Sequence, residues 1–210
     1  TARASAFDNP KADFNTVSLV QLKKILAGTF TPSYPPVIED IEQYLPTDMT
    51  LSDKTLEFVG RYSTTNSSSY KLAWSGSTIK TAFVGTQLAA TLKSSYSDYD
   101  YLQIYVDGER IETPLAITST ATKYTIAKDL DFGYHYVEIV KRSDAVRSYI
   151  TFDGFDYKDG AAAPVPANKD RIIEFIGDSI TAGWGNLSPS STLTYVNRET
   201  DATQSYAYLT

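Results

Sequence analysis

The string IIEFIGDSITAGWG, residues 172–185, contains the residue types and order that could do chemistry. A serine hydroxyl becomes a useful nucleophile when it is held exposed, with a base in reach and donors aimed at the developing oxyanion. A tight turn leaving a buried strand meets the first requirement. Residues 172–176 form a short apolar run, as expected of a strand buried on both faces of a parallel sheet. Gly177 ends the run and permits unusual backbone angles and close approach. Ser179 then falls at the carboxyl end of the strand, where open α/β sheets place ligands. Its own N–H can serve as one oxyanion donor, and Asp178 would orient the turn through hydrogen bonds. The tripeptide Gly177-Asp178-Ser179 equally suits a plain turn or a helix N-cap. It is not the G-x-S-x-G elbow of α/β-hydrolases, because Thr181 stands where the second glycine is required.

A serine nucleophile needs a general base, normally histidine. The sequence has 1 histidine, His135, in a segment that alternates as a strand, and it reads as a packed or surface strand residue. Trp184 and Tyr195 follow the serine on a polar loop and could stack on a sugar ring or serve packing. Trp74 reads as sandwich core. Arg61 and the pair Lys141-Arg142 read as surface or interdomain residues. Asp98, Asp100 and Asp107 stand in turn settings, and turn chemistry accounts for the SDYD cluster without a calcium ion.

Composition narrows the classes. With Cys 0, disulfides, thiolate catalysis and cysteine metal sites are excluded. A net charge of -6 and the lack of a basic stripe argue against a nucleic-acid partner. No apolar run approaches the roughly 20 residues that span a bilayer. Tyr 16 and Phe 9 against Met 1 favour strands over helical bundles. Asn66-Ser67-Ser68 and Asn186-Leu187-Ser188 fit the glycosylation sequon.

The surrounding segments divide into four. Residues 1–48 read as an N-terminal extension with a short helix, on which Leu19, Leu22, Ile25 and Leu26 share a face and Gly28 caps the end. Residues 49–160 read as a β-sandwich of about eight short antiparallel strands, with YLQIYVDGERI alternating around the hairpin signal Asp107-Gly108. Residues 161–170 are a linker by composition, stiffened by Pro164 and Pro166. Residues 171–210 supply one strand, a loop and a helix start, too little to cover a parallel sheet.

The extended GDSITAGWG resembles the first conserved block of the SGNH, or GDSL, hydrolases. Upstream, GRYSTTNSSSYKLAWSGSTIKTAFVGTQLAATL, YLQIYVDGE and FGYHYVEIVKRSDA resemble the N-terminal jelly roll of carbohydrate esterase family 2. In that family a Gly-Arg opening, an aromatic-Gly-Ser turn, a Phe-x-Gly-Thr strand end and a Gly-x-His…Lys-Arg strand precede the Gly-Asp-Ser block. TDATQSYAYLT resembles the helix start beyond the active-site loop. The resemblance covers roughly residues 58–210. It implies a jelly roll followed by the opening of a flavodoxin-like α/β hydrolase domain, with Ser179 as nucleophile and with Gly177, Asp178 and the Ser179 N–H supporting the turn and oxyanion. Trp184 is the candidate substrate contact. It further implies a secreted serine esterase that removes acetyl groups from plant cell-wall polysaccharide, such as xylan or mannan, without metal or organic cofactor.

The family's catalytic histidine and remaining oxyanion donors fall in later blocks that have no counterpart here. The expected partners are therefore an acetylated polysaccharide and the C-terminal part of the hydrolase domain, absent or carried by another chain. The 210 residues alone are expected to be inactive. The alternative is a non-catalytic carbohydrate-binding sandwich.

Overall fold

A strand turns successive side chains to opposite faces, so an apolar residue at every second position gives one face to a core. Residues 101–106 and 133–141 follow that rule, and both form strands. The computed structural model describes residues 41–210 apart from 67, 171, 193 and 195. The helix expected around Leu19 to Gly28 lies outside the described residues.

Twelve strands are described: β1 (Leu56–Val59), β2 (Tyr62–Asn66), β3 (Ser69–Leu72), β4 (Thr78–Gly85), β5 (Leu88–Ser94) and β6 (Asp100–Val106), then β7 (Glu109–Arg110), β8 (Leu115–Ile117), β9 (Thr122–Ala127), β10 (Gly133–Lys141), β11 (Ile150–Asp156) and β12 (Ala161–Ala163). All pairings are antiparallel. One sheet runs β1-β4-β10-β6-β7, with β12 also on β4 and β8 also on β6; the other runs β2-β3-β11-β5-β9. The expected sandwich is present. The strands beyond eight include β7, β8 and β12, two or three residues long and too short to show alternation.

The two sheets close over one core. Ile79 and Phe83 of β4, Leu102 and Ile104 of β6, and Val137 and Ile139 of β10 face Leu72, Leu88, Leu92, Ile150 and Phe152 of the other sheet. Burying side chains of this size contributes about 1.5–3 kcal/mol each. Asp107 (φ 53°) and Gly108 (φ 84°) make the expected β6–β7 hairpin, both in the left-handed region that a two-residue turn requires.

The expected linker is not a free spacer. Ala161–Ala163 pairs with β4 opposite Val84, Phe83 and Ala82, and Leu51 bridges to Pro166. Ala163 and Val165 are fully buried against Ala82 and Val84, with Ile41, Tyr44 and Leu45 packed over the same cluster. An alanine- and proline-rich sequence extends, and here the extension is used as an edge strand that covers the outer face of β4. All the described residues accordingly belong to one unit.

Two polar readings also change. Asp100 is fully buried at the start of β6, accepting from Ser94 Oγ (3.2 Å), Ser143 Oγ (2.8 Å) and Ser148 Oγ (2.5 Å). Lys141, expected at the surface or between domains, is also fully buried; Nζ donates to the Ser143 carbonyl (2.8 Å) and to Ser143 Oγ (2.7 Å). Buried charges persist when paired and hydrogen-bonded, and the three serines supply those partners.

Candidate active site

The turn after residue 177 is built from local hydrogen bonds. Asp178 Oδ1 accepts from the Ile180 N–H (2.9 Å), the Asp178 carbonyl from Ala182 N–H (3.1 Å), and the Ser179 carbonyl from Trp184 N–H (2.8 Å). Asp178 thus orients the bend through its side chain. Ser179 is exposed, and its hydroxyl has no hydrogen-bond partner among the described residues. Gly177 is needed for space rather than for a left-handed conformation: a Cβ there would lie 2.8 Å from Cβ of Thr181. Thr181 Oγ1 is in turn 2.7 Å from the Tyr206 hydroxyl, and Tyr206 meets Phe175 edge-on at 6.0 Å.

The expected buried strand at 172–176 is not formed among the described residues. Ile172 is 92% exposed and Ile176 91% exposed, and no strand pairs with them. A parallel strand acquires its hydrogen bonds and its cover from other strands and helices, and none of the described residues supplies either. The apolar run is therefore a surface lacking its neighbours.

Beyond the turn, the chain folds back on itself and onto the sandwich. Gly183 (φ 69°) lies against Asp201, where a Cβ would come 2.6 Å from the Asp201 carbonyl, so glycine is required on both counts. Gly185 N–H donates to Thr200 Oγ1 (3.0 Å) and Leu187 N–H to the Glu199 carbonyl (3.0 Å). Asn186 donates through Nδ2 to the Asp201 carbonyl (3.0 Å), while its Oδ1 accepts from the Asp201 N–H (2.9 Å). Both polar atoms of that sequon side chain are thereby engaged.

Asp201 is the centre of the join. Its fully buried carboxylate accepts from Thr203 N–H (3.0 Å), Thr203 Oγ1 (2.6 Å) and Gln204 Nε2 (3.1 Å) within its own segment. It also meets Arg110 Nη2 of β7 at 3.0 Å and Arg142 Nε at 3.4 Å. Arg142 further donates to the Thr200 carbonyl (3.2 Å), and the Arg142 carbonyl accepts from Ala202 N–H (3.1 Å). Burial pushes the Arg142 guanidinium down and the Asp201 charge pushes it back up. Arg142 thus joins the end of β10 to the residues 198–202. Asp201 and Arg110 were legible only as an acid and a base far apart in the sequence. After the Ala202–Gln204 turn, the short helix α1 (Tyr206–Leu209) places Tyr208 on Tyr105 of β6, ring centroids 6.2 Å apart.

The remaining candidates separate from the turn. Trp184 is half-buried, and one face is taken by the Arg147 guanidinium, 4.8 Å from the ring centroid. Tyr195 lies outside the described residues. His135 is a β10 residue with Nδ1 2.7 Å from Asp107 Oδ2 and Nε2 2.8 Å from the Asp131 carbonyl, so both ring nitrogens are engaged. Trp74, expected in the core, is 58% exposed, because the turn before β4 carries it past the end of the sheet. Among the described residues there is no cluster of three or more His, Cys, Asp or Glu suited to a metal ion, and no helix long and apolar enough to cross a membrane.

Two antiparallel sheets with an exposed Gly-Asp-Ser turn joined to one end of them define the class: a β-sandwich domain followed by a short C-terminal segment. The pattern of the Carbohydrate esterase 2 N-terminal family matches residues 58–166, and the chain belongs to that family. It is 32% identical over 151 residues to the cellulase/esterase CelE of Acetivibrio thermocellus, covering 72% of this chain and 18% of the relative. It is 36% identical over 123 residues to an acetylxylan esterase / glucomannan deacetylase of Cellvibrio japonicus, covering 58% of this chain and 32% of the relative. Among solved structures, a family two carbohydrate esterase from Clostridium thermocellum in complex with cellohexaose is similar at 31% identity and a TM-score of 0.68, over 73% of this chain and 46% of the other. The chain thus spans less than half the length of these relatives.

Proposed function

We propose that this chain is the sandwich and nucleophile-bearing part of a secreted serine esterase that removes acetyl groups from plant cell-wall polysaccharide. The observation that carries the reading is the exposed Ser179 hydroxyl on a turn held by Asp178 and pinned to the sandwich through Asp201. The relatives' names, acetylxylan esterase and glucomannan deacetylase, support the substrate class. A polymeric substrate outside the cell supports secretion.

In this reading Ser179 Oγ attacks the acetyl carbonyl, and the Ser179 N–H contributes one donor to the oxyanion as charge develops there. Oγ loses its proton to a histidine, which returns it to the departing sugar hydroxyl; water then releases acetate from the acyl-enzyme by the same route. His135 does not serve, since Asp107 and Asp131 hold both its nitrogens. The base and the other oxyanion donors come from polypeptide outside these 210 residues. That polypeptide would also pair with and cover the exposed apolar run at 172–176.

The test is acetate release from acetylated xylan and glucomannan. The native protein, its intact mass exceeding 23.2 kDa, should release acetate, and Ser179→Ala should abolish it. The 210-residue chain alone should release no more than its Ser179→Ala variant. Serine-dependent release by the isolated chain would refute the external base.

A further inference from the structure

A second surface carries recognition chemistry of a different kind, on the outward face of the five-stranded sheet. The inward residues of its strands, Leu72, Leu92 and Phe152, belong to the core. Alternation therefore turns Lys71, Thr151 and Lys93 outward, and the register places Thr151 between the two lysines, opposite Lys71 of β3 and Lys93 of β5. Thr151 Oγ1 is buried beside them and has no hydrogen-bond partner among the described residues.

At one end of the row the face opens into a groove of about 310 Å³ whose walls include Arg61, Lys71, Trp74 and Tyr149. Both aromatic rings are accessible, Trp74 at 58% and Tyr149 at 40%. Lys71 Nζ stands 5.0 Å from the Tyr149 ring centroid, which holds the ammonium at the groove. Among the described residues Arg61, Lys71 and Lys93 make no ion pair. The carboxylate nearest in register, Asp153, accepts from Ser69 Oγ at 2.7 Å, and Asp156 is taken by Lys123 and Lys158. A chain with a net charge of -6 thus carries three cations against the single carboxylate of Asp153 on this face, beside two accessible rings.

We propose that this face binds a polysaccharide bearing carboxylate groups, with Trp74 and Tyr149 stacking on sugar rings and Arg61, Lys71 and Lys93 holding the uronate carboxylates. Aromatic faces match the apolar faces of pyranoses, and guanidinium and ammonium groups form charge-assisted hydrogen bonds to carboxylates. A neutral glycan would leave the three cations without a role. The site is independent of Ser179 and would hold the enzyme on charged cell-wall polymer.

Affinity electrophoresis of the 210-residue chain tests this in gels containing polygalacturonate, glucuronoxylan or neutral glucomannan. Retardation is expected in both uronate gels and not in glucomannan, even though the protein and the uronates carry the same sign of net charge. Trp74→Ala, Tyr149→Ala and Lys71→Gln should each weaken retention roughly tenfold, the effect of losing one good contact. Lys128→Gln, which removes a cation elsewhere, should not, and Ser179→Ala should bind as the parent does. The proposal is overturned by mobility unaffected by uronate, by equal retardation in glucomannan, by indifference to the two aromatic substitutions, or by equal retention on a single-stranded nucleic acid. None of these outcomes bears on acetate release, so the two proposals fail separately.

Discussion

Arg142 and Asp201 face each other at 3.4 Å, the guanidinium side chain 3% and the carboxylate 0% exposed, and their contact ties the end of β10 to the segment that backs the Ser179 turn. The pair is 59 positions apart in the sequence, the difference between 201 and 142. Arg110 adds a second cation to the same carboxylate at 3.0 Å. Position of the Ser179 turn is therefore set by buried electrostatics as well as by backbone hydrogen bonds.

Removing one member of such a pair leaves the other buried and uncompensated. Asp201→Ala should lower stability by about 3–5 kcal/mol, because Arg142 and Arg110 lose their shared partner. Asp201→Asn retains an acceptor for Thr203 N–H and should lose less. Urea unfolding followed by tryptophan fluorescence reads both; a loss below about 1 kcal/mol for the alanine variant would show that the backbone hydrogen bonds alone make the join.

The buried lysine gives the sandwich an unusual response to alkali. Burial lowers Lys141 from its ordinary 10.5 to about 8, with Asp100 and Asp144 opposing the drop. Between about pH 8 and 10.5 the unfolded chain keeps a proton on this lysine that the folded chain has released, so stability rises with pH across that window. The buried phenols act oppositely and later: Tyr134 is pushed up to about 12, and Tyr136 and Tyr208 are raised further, so the folded state loses ground as pH climbs above 10. Urea midpoints measured from pH 7.5 to 10 should rise relative to those of Lys141→Met, in which this titration is gone. Parallel curves for the two proteins would contradict the assignment.

His135 supplies a sharper test of the chemistry. Its contact with Asp107 is only partly shielded, the Asp107 side chain being 47% exposed, so His135→Asn should cost no more than about 0.2–1 kcal/mol. Acetate release by the native enzyme should be unchanged. Loss of activity in a folded His135→Asn protein would make this imidazole the base and remove the need for one from elsewhere.

Legibility followed the range of the physics involved. The Asp107-Gly108 hairpin and the alternation of β6 and β10 are local, set by turn dihedrals and by the two-residue repeat, and a sequence displays both. The bend at Gly177-Asp178 that leaves Ser179 exposed was legible in the same way. Asp100, read as a turn residue, became a buried acceptor because serines at 94, 143 and 148 converge on it, and Lys141, read as a surface or interdomain residue, is buried in the sandwich with them. Residues 161–163 carried the composition of a spacer, yet the open edge of β4 took them as a strand.

By itself the sequence determined which segments extend, where they turn, and which face of each strand is apolar, because those depend on neighbours one to four residues away. The tertiary structure alone decided what lies across from each face. It put Trp74 in solvent, paired Arg142 with Asp201, and left the apolar residues 172–176 uncovered. Burial and ion pairing are contacts between distant segments, and only the folded chain specifies which of them meet.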